Sequence, residues 1–338
     1  DRAGAGLTAF PAHGLGHHRH NAITRENAQP GVRDWQLTYA RIAPETKYRS
    51  PWIEGYCSKA SVAAGDTLDI MVSTNPVADF TLDIYRMGYY GGLGARHMLR
   101  LGPFAGTVQE DPPVGFERLR ECAWKPCTTL TIPDDWTSGV YLGKLSRVEH
   151  NGYQSYVVFI VRDNRKADVV FQCSDNTWQA YNRWPNQFAL YDDGTTEWAL
   201  KPNIRVSYDR PYGKYCQVTD TPMSVGSGEF LLWEFPMAFW LEQQGYDVTY
   251  VSNTDVDASA EHVLRGKSFL SVGHDEYWSL EQYNHVKEGI EKGVNVAFFS
   301  GDTCCFVTPQ LPSADGRPRR VLTRTGMFGG TRRGRPSV

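Results

Sequence analysis

The sequence predicts an α/β protein in which a flavodoxin-like, mainly parallel sheet follows an antiparallel, immunoglobulin-like β-sandwich. Residues 35–163 carry short β-rich runs with partial alternation, separated by turn residues and free of helical periodicity. After Lys166, strand-like and helix-like segments alternate, as they do in parallel sheets with crossover helices. We therefore divide the chain into an extended N-terminal arm (1–34), a β-sandwich domain (35–165), an α/β domain (166–330) and a tail (331–338).

The predicted strands of the sandwich are bounded by turn-forming residues, as at Gly65 and Pro76. They cover residues 35–42, 61–62, 67–73, 80–86, 128–132, 139–148 and 155–161. A glycine-rich piece at 86–94 interrupts them. Because glycines let a loop approach another backbone closely, Tyr89 and Tyr90 either lie against a ligand or the next domain, or pack inside a hairpin loop.

The predicted α/β domain opens with an apolar strand at 167–172. An irregular stretch follows at 183–228, and a loop of this length inside a domain usually has a function. Residues 229–244 form a predicted helix dense in aromatic residues, in which Pro236 predicts a kink or a late start. A strand at 246–251 and a helix at 258–265 continue the alternation.

A strand, a sharp turn, a helix and a second strand are predicted within 267–303, and the domain is organised around this unit. The apolar run 269–272 is one buried strand, and 294–299 is a second strand parallel to it. Ser279 stands three residues before Gln282, which is the spacing of a capping box that opens a helix. Apolar residues at helical spacing predict the buried face of this helix: Leu280, Tyr283, Val286 and Ile290.

Three polar residues, His274, Asp275 and Glu276, follow the first strand of this unit, directly after Gly273. In open α/β sheets, ligands bind outside the carboxyl ends of the strands, so we expect the functional site there. If the backbone stays extended, His274 and Glu276 point to the same side, while Asp275 faces away and is free to cap or bridge. The alternative is that the three residues only cap the helix and contact water.

The composition excludes several classes of partner. The chain has 338 residues with 41% hydrophobic residues and a formal net charge of −3, so it can build a large core and favours neither nucleic acid nor an anionic membrane as a partner. No window has the length of a transmembrane helix. The sequence starts at Asp1 without a signal peptide, so we expect a processed, trimmed or partial chain, located in the cytoplasm or exported.

Common catalytic motifs are absent from the sequence: it has no nucleophile elbow on a strand–helix turn, P-loop, HExxH helix or dinucleotide fingerprint. The seven cysteines form no zinc pattern; Cys122 and Cys127 either form a disulfide or are free thiols. Both termini are best interpreted as solvated, with metal binding by the histidine-rich start and phosphate binding by the basic end as alternatives. The residues concerned are His13, His17, His18 and His20 at the start and the arginines of 312–338 at the end.

Several motifs resemble the large, catalytic subunit of N,N-dimethylformamidase and its wider family. They are SDNTWQAYNRW (174–184), ALYDDG (189–194), SYDRPYGKY (207–215), EFLLWEFPMAFWLEQQGYDVTYVSNTD (229–255) and SVGHDEYW (271–278). The β-rich part is similar to the sandwich beside the catalytic domain of those relatives, through IEGYCSKASVAAGDTLDIMVSTNP (53–76) and YRMGYYGG (85–92). The resemblance covers about 50–330 and implies that 166–330 is a catalytic domain.

This resemblance implies one mononuclear Fe(III) site. The family's two tyrosine ligands match Tyr181 and Tyr191, and the histidine and glutamate of its H-x-E turn match His274 and Glu276. Tyr208 and Tyr212 lie in the same irregular region, so the second tyrosine stays open between Tyr191 and Tyr208. Fe(III) prefers anionic oxygen ligands, which phenolates and a carboxylate supply. Glu276 would be the third metal ligand.

The implied reaction is hydrolysis of the C–N bond of small amides. The metal would polarise the carbonyl and activate water, and His274 would position or deprotonate that water. The resemblance further implies a homo-oligomer and a small partner subunit, and family members continue well beyond this sheet. Two other functions stay open: a non-catalytic secreted protein that binds a ligand such as a carbohydrate, and a cysteine hydrolase that uses Cys304 or Cys305.

Overall fold

The computed structural model of the chain describes residues 20–149, 152–196, 198–213 and 230–329, in which strands dominate. Most of the predicted N-terminal arm, including His13, His17 and His18, lies outside the described residues. The same is true of the tail at 331–338 and of 214–229 within the predicted irregular stretch.

Eight of the described strands precede residue 165, and they form two sheets. They are β1 (Glu54–Cys57), β2 (Ser61–Val62), β3 (Thr67–Ser73), β4 (Phe80–Met87), β5 (Ala95–Phe104), β6 (Pro126–Thr131), β7 (Gly139–Arg147) and β8 (Gln154–Val161). One sheet has the order β2-β8-β7-β4-β5 and the other β1-β3-β6. Apolar residues of both sheets, such as Ile70 and Leu82, pack into one buried cluster, and burial of this surface stabilises the pair of sheets.

The strands after residue 165 form three further sheets. They are β9 (Ala167–Gln172), β10 (Arg205–Ser207), β11 (Val248–Val251), β12 (Gly266–His274), β13 (Tyr277–Trp278), β14 (Asn295–Gly301), β15 (Phe306–Val307), β16 (Gln310–Leu311), β17 (Val321–Thr323) and β18 (Gly326–Met327). Their orders are β11-β9-β12-β14, β10-β17-β16 and β13-β15-β18.

The described helices are short. They are α1 (Ala22–Asn27), α2 (Asp175–Tyr181), α3 (Phe235–Gln243), α4 (Asn253–Ala258), α5 (Glu261–Leu264) and α6 (Leu280–Glu291). A π-helical turn at Phe230–Glu234 precedes α3, whose first turn contains Pro236, so the predicted late start is confirmed. None of these helices has the length and apolar character needed to cross a membrane.

The predicted fold class is wrong. Among the described residues, only β11, β9, β12 and β14 form a parallel sheet, which is too small for a flavodoxin-like core. The other two sheets described in this half contain antiparallel pairs. The first half is not purely antiparallel either, because β2 pairs parallel with β8. The period of the hydrophobic pattern identifies single strands and helices. It does not determine which strands pair, because pairing depends on contacts between residues distant in sequence.

Some predicted elements differ as well. Residues 35–42 form no strand; Trp35 is buried as a loop residue and its indole Nε1 donates to Leu93 O over 3.0 Å. Strands β1 and β5 were not predicted. The predicted helix 258–265 is present as the shorter α5, and α4 before it was not predicted. Apolar residues packed from a loop carry the same sequence signal as strand residues, which explains the first of these errors.

The buried face of α6 was predicted correctly at Val286 but wrongly at Tyr283 and Ile290. Tyr283 is 42% exposed and Ile290 is 52% exposed, whereas Gln282, Val286 and Gly289 are buried. Helix α6 packs closely on α5 through Gly289, where an added Cβ would lie 2.5 Å from Val263 Cγ1. A glycine and a hydrogen-bonded glutamine therefore define this face, and a count of apolar residues does not detect them.

The two halves of the chain share one core. A buried cluster combines Tyr85 and Leu142 of the first half with Phe171 and Tyr250 of the second. A fully buried ion pair, Arg86 Nη2 to Glu242 Oε1 at 2.8 Å, joins β4 to α3. Tyr89 also contacts Phe239 of α3, with ring centroids 5.1 Å apart. The first half therefore supports the parallel sheet whose carboxyl edge carries the polar residues described next.

Candidate metal centre

The end of β12 sets the position of the H-x-E turn. The strand continues through Gly273, which was predicted to end it, and stops at His274. Gly273 has φ +87°, and an added Cβ would lie 2.9 Å from Glu234 Cγ. Only glycine suits this backbone and this close approach, so Gly273 lets β12 turn toward α6 while it packs against Glu234.

His274 and Glu276 lie on the same side of the turn, as the spacing predicted. His274 Nε2 is 3.3 Å from Glu276 Oε2. Asp275 faces the interior, where its carboxylate accepts hydrogen bonds from Gln172 Nε2 (2.6 Å) and Asn253 Nδ2 (3.0 Å), and also from Ser271. Burial raises the pKa of Asp275 to about 6, although these donors act in the opposite direction. Asp275 therefore bridges β12 to neighbouring elements rather than entering the site.

Two tyrosines reach Glu276 from other elements. Tyr181 OH donates to Glu276 Oε2 over 2.9 Å. Tyr191 OH lies 3.0 Å from the same oxygen, 3.2 Å from Glu276 Oε1 and 3.0 Å from Tyr181 OH. All three side chains are buried. Two phenol oxygens and a carboxylate therefore converge within hydrogen-bonding distance of one another.

Burial and charge keep both phenols protonated when no cation is near. Burial raises the pKa of Tyr181 and of Tyr191 well above the usual range, and the negative charge of Glu276 raises them further. A cation bound between the oxygens has the opposite effect, since it stabilises the phenolate form of a ligand. This set of donors is typical of a site for a hard, highly charged cation.

Tyr181 is held in place by its helix. Helix α2 follows β9, and all of its residues are buried. Asn176 Nδ2 donates to Tyr277 O over 2.9 Å, and Glu276 N donates to Thr177 Oγ1 over 3.1 Å. These bonds tie α2 directly to the segment after β12, so Tyr181 and Glu276 are positioned together.

Tyr191 lies in a loop that is anchored at both sides. Leu190 N donates to Ala180 O over 2.9 Å, and Ala199 N donates to Tyr191 O over 2.7 Å. A buried ion pair between Arg183 and Asp192, at 3.2 Å, fixes the same loop. The irregular stretch is therefore specifically bonded where it carries the second tyrosine.

The alternative tyrosines lie elsewhere. Tyr208 OH donates toward Asp175 Oδ2 (2.9 Å) and Asn176 Oδ1 (2.8 Å). Tyr212 packs edge-on against Trp178, with ring centroids 6.4 Å apart. Of the tyrosines considered from the sequence, Tyr181 and Tyr191 are the two that contact Glu276.

Comparison with known families agrees with the resemblance seen in the motifs. The family model described as N,N-dimethylformamidase beta subunit-like, C-terminal, matches residues 81–328, which is well over half of the chain. The chain belongs to this family. The matched region contains Tyr181, Tyr191, His274 and Glu276. No curated protein matches the chain.

Asp302 also belongs to the site of this N,N-dimethylformamidase beta subunit-like chain, although the sequence did not predict it. Its Oδ2 lies 3.5 Å from His274 Nε2, and its side chain is 71% exposed. Donor atoms of His274, Glu276 and Asp302 all lie within 4.8 Å of one another. Asp302 directly follows β14, which pairs with β12, so the rule that sites form at the carboxyl ends of parallel strands could have identified it.

The open side of the cluster carries an aromatic wall that was also missed. Trp198 is half-exposed, and its ring centroid is 5.4 Å from that of Tyr191 and 6.2 Å from that of Tyr181. The guanidinium of Arg183 lies 4.7 Å from the Trp198 ring. His274, whose side chain is 22% exposed, also contacts Tyr181, with ring centroids 5.1 Å apart.

Cys304 and Cys305 of this family member do not resemble catalytic nucleophiles. Burial raises the pKa of Cys304 to about 12, and burial also raises the pKa of Cys305. A nucleophilic cysteine needs a lowered pKa, since the thiolate is the reactive form. Cys122 and Cys127 are free thiols, so the predicted alternative of a disulfide between them is not formed.

Proposed function

We propose that this protein is an iron-dependent hydrolase that cleaves the C–N bond of small amides. Its mononuclear Fe(III) would be bound by Tyr181, Tyr191 and Glu276. The observation that carries the proposal is the convergence of two buried phenols on one buried carboxylate, with distances of 2.9–3.2 Å between their oxygens. Membership of the dimethylformamidase-related family supports the reaction class.

The donor set fits ferric iron. Two phenolates and a carboxylate carry three negative charges, which offset the charge of Fe(III) among buried side chains. Hard cations prefer such oxygen ligands, whereas zinc sites are usually built from cysteine, histidine and carboxylate. His274 Nε2 lies 3.3 Å from Glu276 Oε2 and adds an imidazole, which can exchange a proton near neutral pH, beside the oxygens.

When bound, the metal supplies Lewis-acid polarisation of the amide carbonyl and acidifies water. His274 would accept the proton of a water molecule as general base. Its Nε2 lies 3.3 Å from Glu276 Oε2 and 3.5 Å from Asp302 Oδ2, so the Asp302 carboxylate would stabilise the imidazolium that results. The hydroxyl adds to the carbonyl carbon, the C–N bond breaks, and His274 returns the proton to the amine nitrogen. The products are a carboxylic acid and an amine.

The surroundings of the oxygens favour a small substrate. The rings of Tyr181, Tyr191 and Trp198 form an aromatic wall on the side that faces solvent. This wall would contact apolar N-alkyl groups, while the carbonyl oxygen points toward the metal. We therefore propose short N-alkyl amides as the substrate class.

A second candidate is ligand binding without catalysis. A cleft of about 820 Å³ lies in the first half, and Gln109, Asp111, Trp124 and Lys125 are among the residues that line it. Such a mixture of aromatic and polar groups suits a polar ligand such as a carbohydrate. Binding of oligosaccharides to iron-free protein, together with no amine release from any amide, would favour this candidate.

The family is described by its beta subunit, which supports a role within a multi-subunit assembly. We propose a homo-oligomer that also binds a small partner subunit. Light scattering of the purified chain, alone and with its copurified partners, tests this assembly.

The test of function is release of amine from a panel of small N-alkyl amides, measured beside iron content. Glu276→Ala should lose both iron and activity, because it removes a charged ligand. His274→Ala should keep most of the iron and lose turnover by roughly 10²–10⁴-fold, the range of general base catalysis.

Two results of this assay would contradict the proposal. If His274→Ala empties the site while Glu276→Ala leaves it full, the roles of the two residues are reversed. If neither change affects iron or turnover, the H-x-E turn is structural. Glu291→Gln, on the exposed face of α6, is the control expected to match the wild type.

A further inference from the structure

We propose that Tyr277 and Arg324 are positioning residues for the metal ligand Tyr191. Tyr277 would donate a hydrogen bond to the ligand oxygen of Tyr191, and Arg324 would hold Tyr277 in the orientation that makes this donation obligatory. This inference rests on the proposed function, since it concerns the same iron site. Outer hydrogen bonds of this kind orient metal ligands and tune their electron donation.

The direction of the hydrogen bonds follows from the chemistry of the groups. Arg324 Nη1 lies 3.3 Å from Tyr277 OH, and Tyr277 OH lies 2.5 Å from Tyr191 OH. A guanidinium can only donate, so Tyr277 accepts from Arg324. The one hydroxyl hydrogen of Tyr277 is then directed to Tyr191. A phenolate at Tyr191 would strengthen this bond, because bonds to charged acceptors are stronger.

Tyr277 cannot easily move away from this position. It is fully buried in β13, which pairs parallel with β15. Its ring stacks on Phe306, with centroids 5.2 Å apart and planes 25° apart. The backbone carbonyl of Tyr277 also accepts from Asn176 of α2, the helix that carries Tyr181. The hydroxyl is therefore held relative to both tyrosine ligands.

Arg324 acts on the same ligand in a second way. Its Nη2 donates to the carbonyl oxygens of Leu190 (3.1 Å), Lys201 (3.2 Å) and Ala199 (3.4 Å), which flank the Tyr191 loop. Its guanidinium is 5.4 Å from the centre of the Tyr191 ring. Arg324 is buried, so its positive charge acts on Tyr191 with little screening by water. One side chain thus fixes both Tyr277 and the loop.

The experiment compares Tyr277→Phe with wild type in the presence of excess ferric iron, so that a weakened site is still filled. Tyr208→Phe is the matched control, because it also removes one buried phenol hydroxyl but one that bonds to Asp175 and Asn176. The readouts are the wavelength of the phenolate-to-iron absorption band and the midpoint potential of the iron. Neither readout requires turnover.

Loss of the donor should make the Tyr191 phenolate a stronger electron donor. We expect Tyr277→Phe to move the band to longer wavelength and to lower the midpoint potential. Tyr208→Phe should match the wild type in both readouts. Arg324→Lys keeps the charge but loses the fork of donors, and it should move the band in the same direction as Tyr277→Phe, by less.

The outcomes separate this inference from the proposed function. An absorbing wild type whose band is unchanged in Tyr277→Phe overturns the inference and leaves the iron site standing. A shift of equal size in Tyr208→Phe also overturns it, since the effect would then be unspecific. A wild type with no such band in excess iron overturns the proposed function and this inference together.

Discussion

The candidate centre places two buried phenols beside one buried carboxylate. Burial raises the pKa of both Tyr181 and Tyr191, and the nearby Glu276 raises them further. Burial raises the pKa of other tyrosines too, such as Tyr85 and Tyr250, so it is the convergence of two phenols on one carboxylate that distinguishes this centre. A cation among the three oxygens would supply a counter-charge.

Site residues could be predicted from the sequence when they lie close to one another along the chain. His274 and Glu276 could be assigned to one side from their spacing, because alternation in extended backbone is local. Tyr191 required the family resemblance. Asp302 and Tyr277 were missed because their positions in the site depend on the pairing of β14 with β12 and of β15 with β13. Strand pairing is a non-local property, so local pattern gives little information about it.

Asp175 provides a test at the residue scale of how burial affects stability. Burial raises its pKa to about 7, whereas an unfolded aspartate has a pKa of about 3.9. Between these values the folded state binds more protons than the unfolded state. The free energy of unfolding therefore decreases as pH rises from about 4 to about 7. The change would be the reverse for a carboxylate stabilised by an ion pair.

Asp175→Asn should remove this dependence, since an amide does not ionise and can still accept from Asn253 N. The wild type should lose on the order of 2–3 kcal/mol in free energy of unfolding between pH 5 and pH 8, and the variant should not show this loss. Urea denaturation of both proteins at the two pH values measures it. A difference between the proteins that is the same at both pH values would contradict the assigned pKa.

At the scale of elements, the hydrophobic period predicted elements correctly where neighbours in sequence are also neighbours in space. The strand–helix–strand unit was predicted with its parallel pair, and Ser279 caps α6 as expected, accepting from Gln282 N over 2.9 Å. The Gln282 side chain instead donates to Gln172. Strand β14 was predicted from an apolar run, yet Phe298 and Phe299 are exposed, because β14 is the edge strand of its sheet within the described residues.

Gly273 and Gly293 are matched positions for testing whether the backbone at the end of β12 positions His274 and Glu276. Both have positive φ, +87° and +91° respectively. An added Cβ at Gly273 would lie 2.9 Å from Glu234 Cγ, whereas an added Cβ at Gly293 would have no atom within 4 Å. Gly293→Ala should cost about 1–2 kcal/mol of stability through backbone conformation alone. Gly273→Ala should cost roughly 1–3 kcal/mol more through overpacking, and should lower iron content.

Thermal or chemical denaturation with metal analysis measures both glycine variants. Equal losses of stability at the two positions, with iron content unaffected at both, would show that the close approach of Gly273 to Glu234 has no influence on the site.

At the scale of the whole molecule, the two predicted domains meet through a common core and the Arg86–Glu242 ion pair. The sequence indicated where the period changes, near Lys166, but it could not indicate that the parallel sheet has only four strands. The number and direction of strands in a sheet depend on which segments meet after long connections. Those contacts leave no periodic signal, so the flavodoxin-like prediction was wrong.

Glu242→Gln tests the connection between the halves. Arg86 and Glu242 are both fully buried, so removal of one charge leaves the other uncompensated and should cost about 3–5 kcal/mol. Glu291→Gln breaks the exposed Lys287–Glu291 pair and should change stability by less than about 1 kcal/mol. Denaturation followed by tryptophan fluorescence and by circular dichroism should give one coincident transition. Two separate transitions in the wild type would contradict the shared core.

The most direct test of the central claim, an Fe(III) site on Tyr181, Tyr191 and Glu276, is the metal content and visible absorption of untagged protein expressed with added iron. We expect a single iron ion per chain and a purple or red-brown colour from phenolate-to-iron charge transfer. Tyr191→Phe should lose most of this iron, and Tyr208→Phe should keep it. Colourless protein that contains only zinc or no metal, or loss of iron in Tyr208→Phe but not in Tyr191→Phe, would contradict the account.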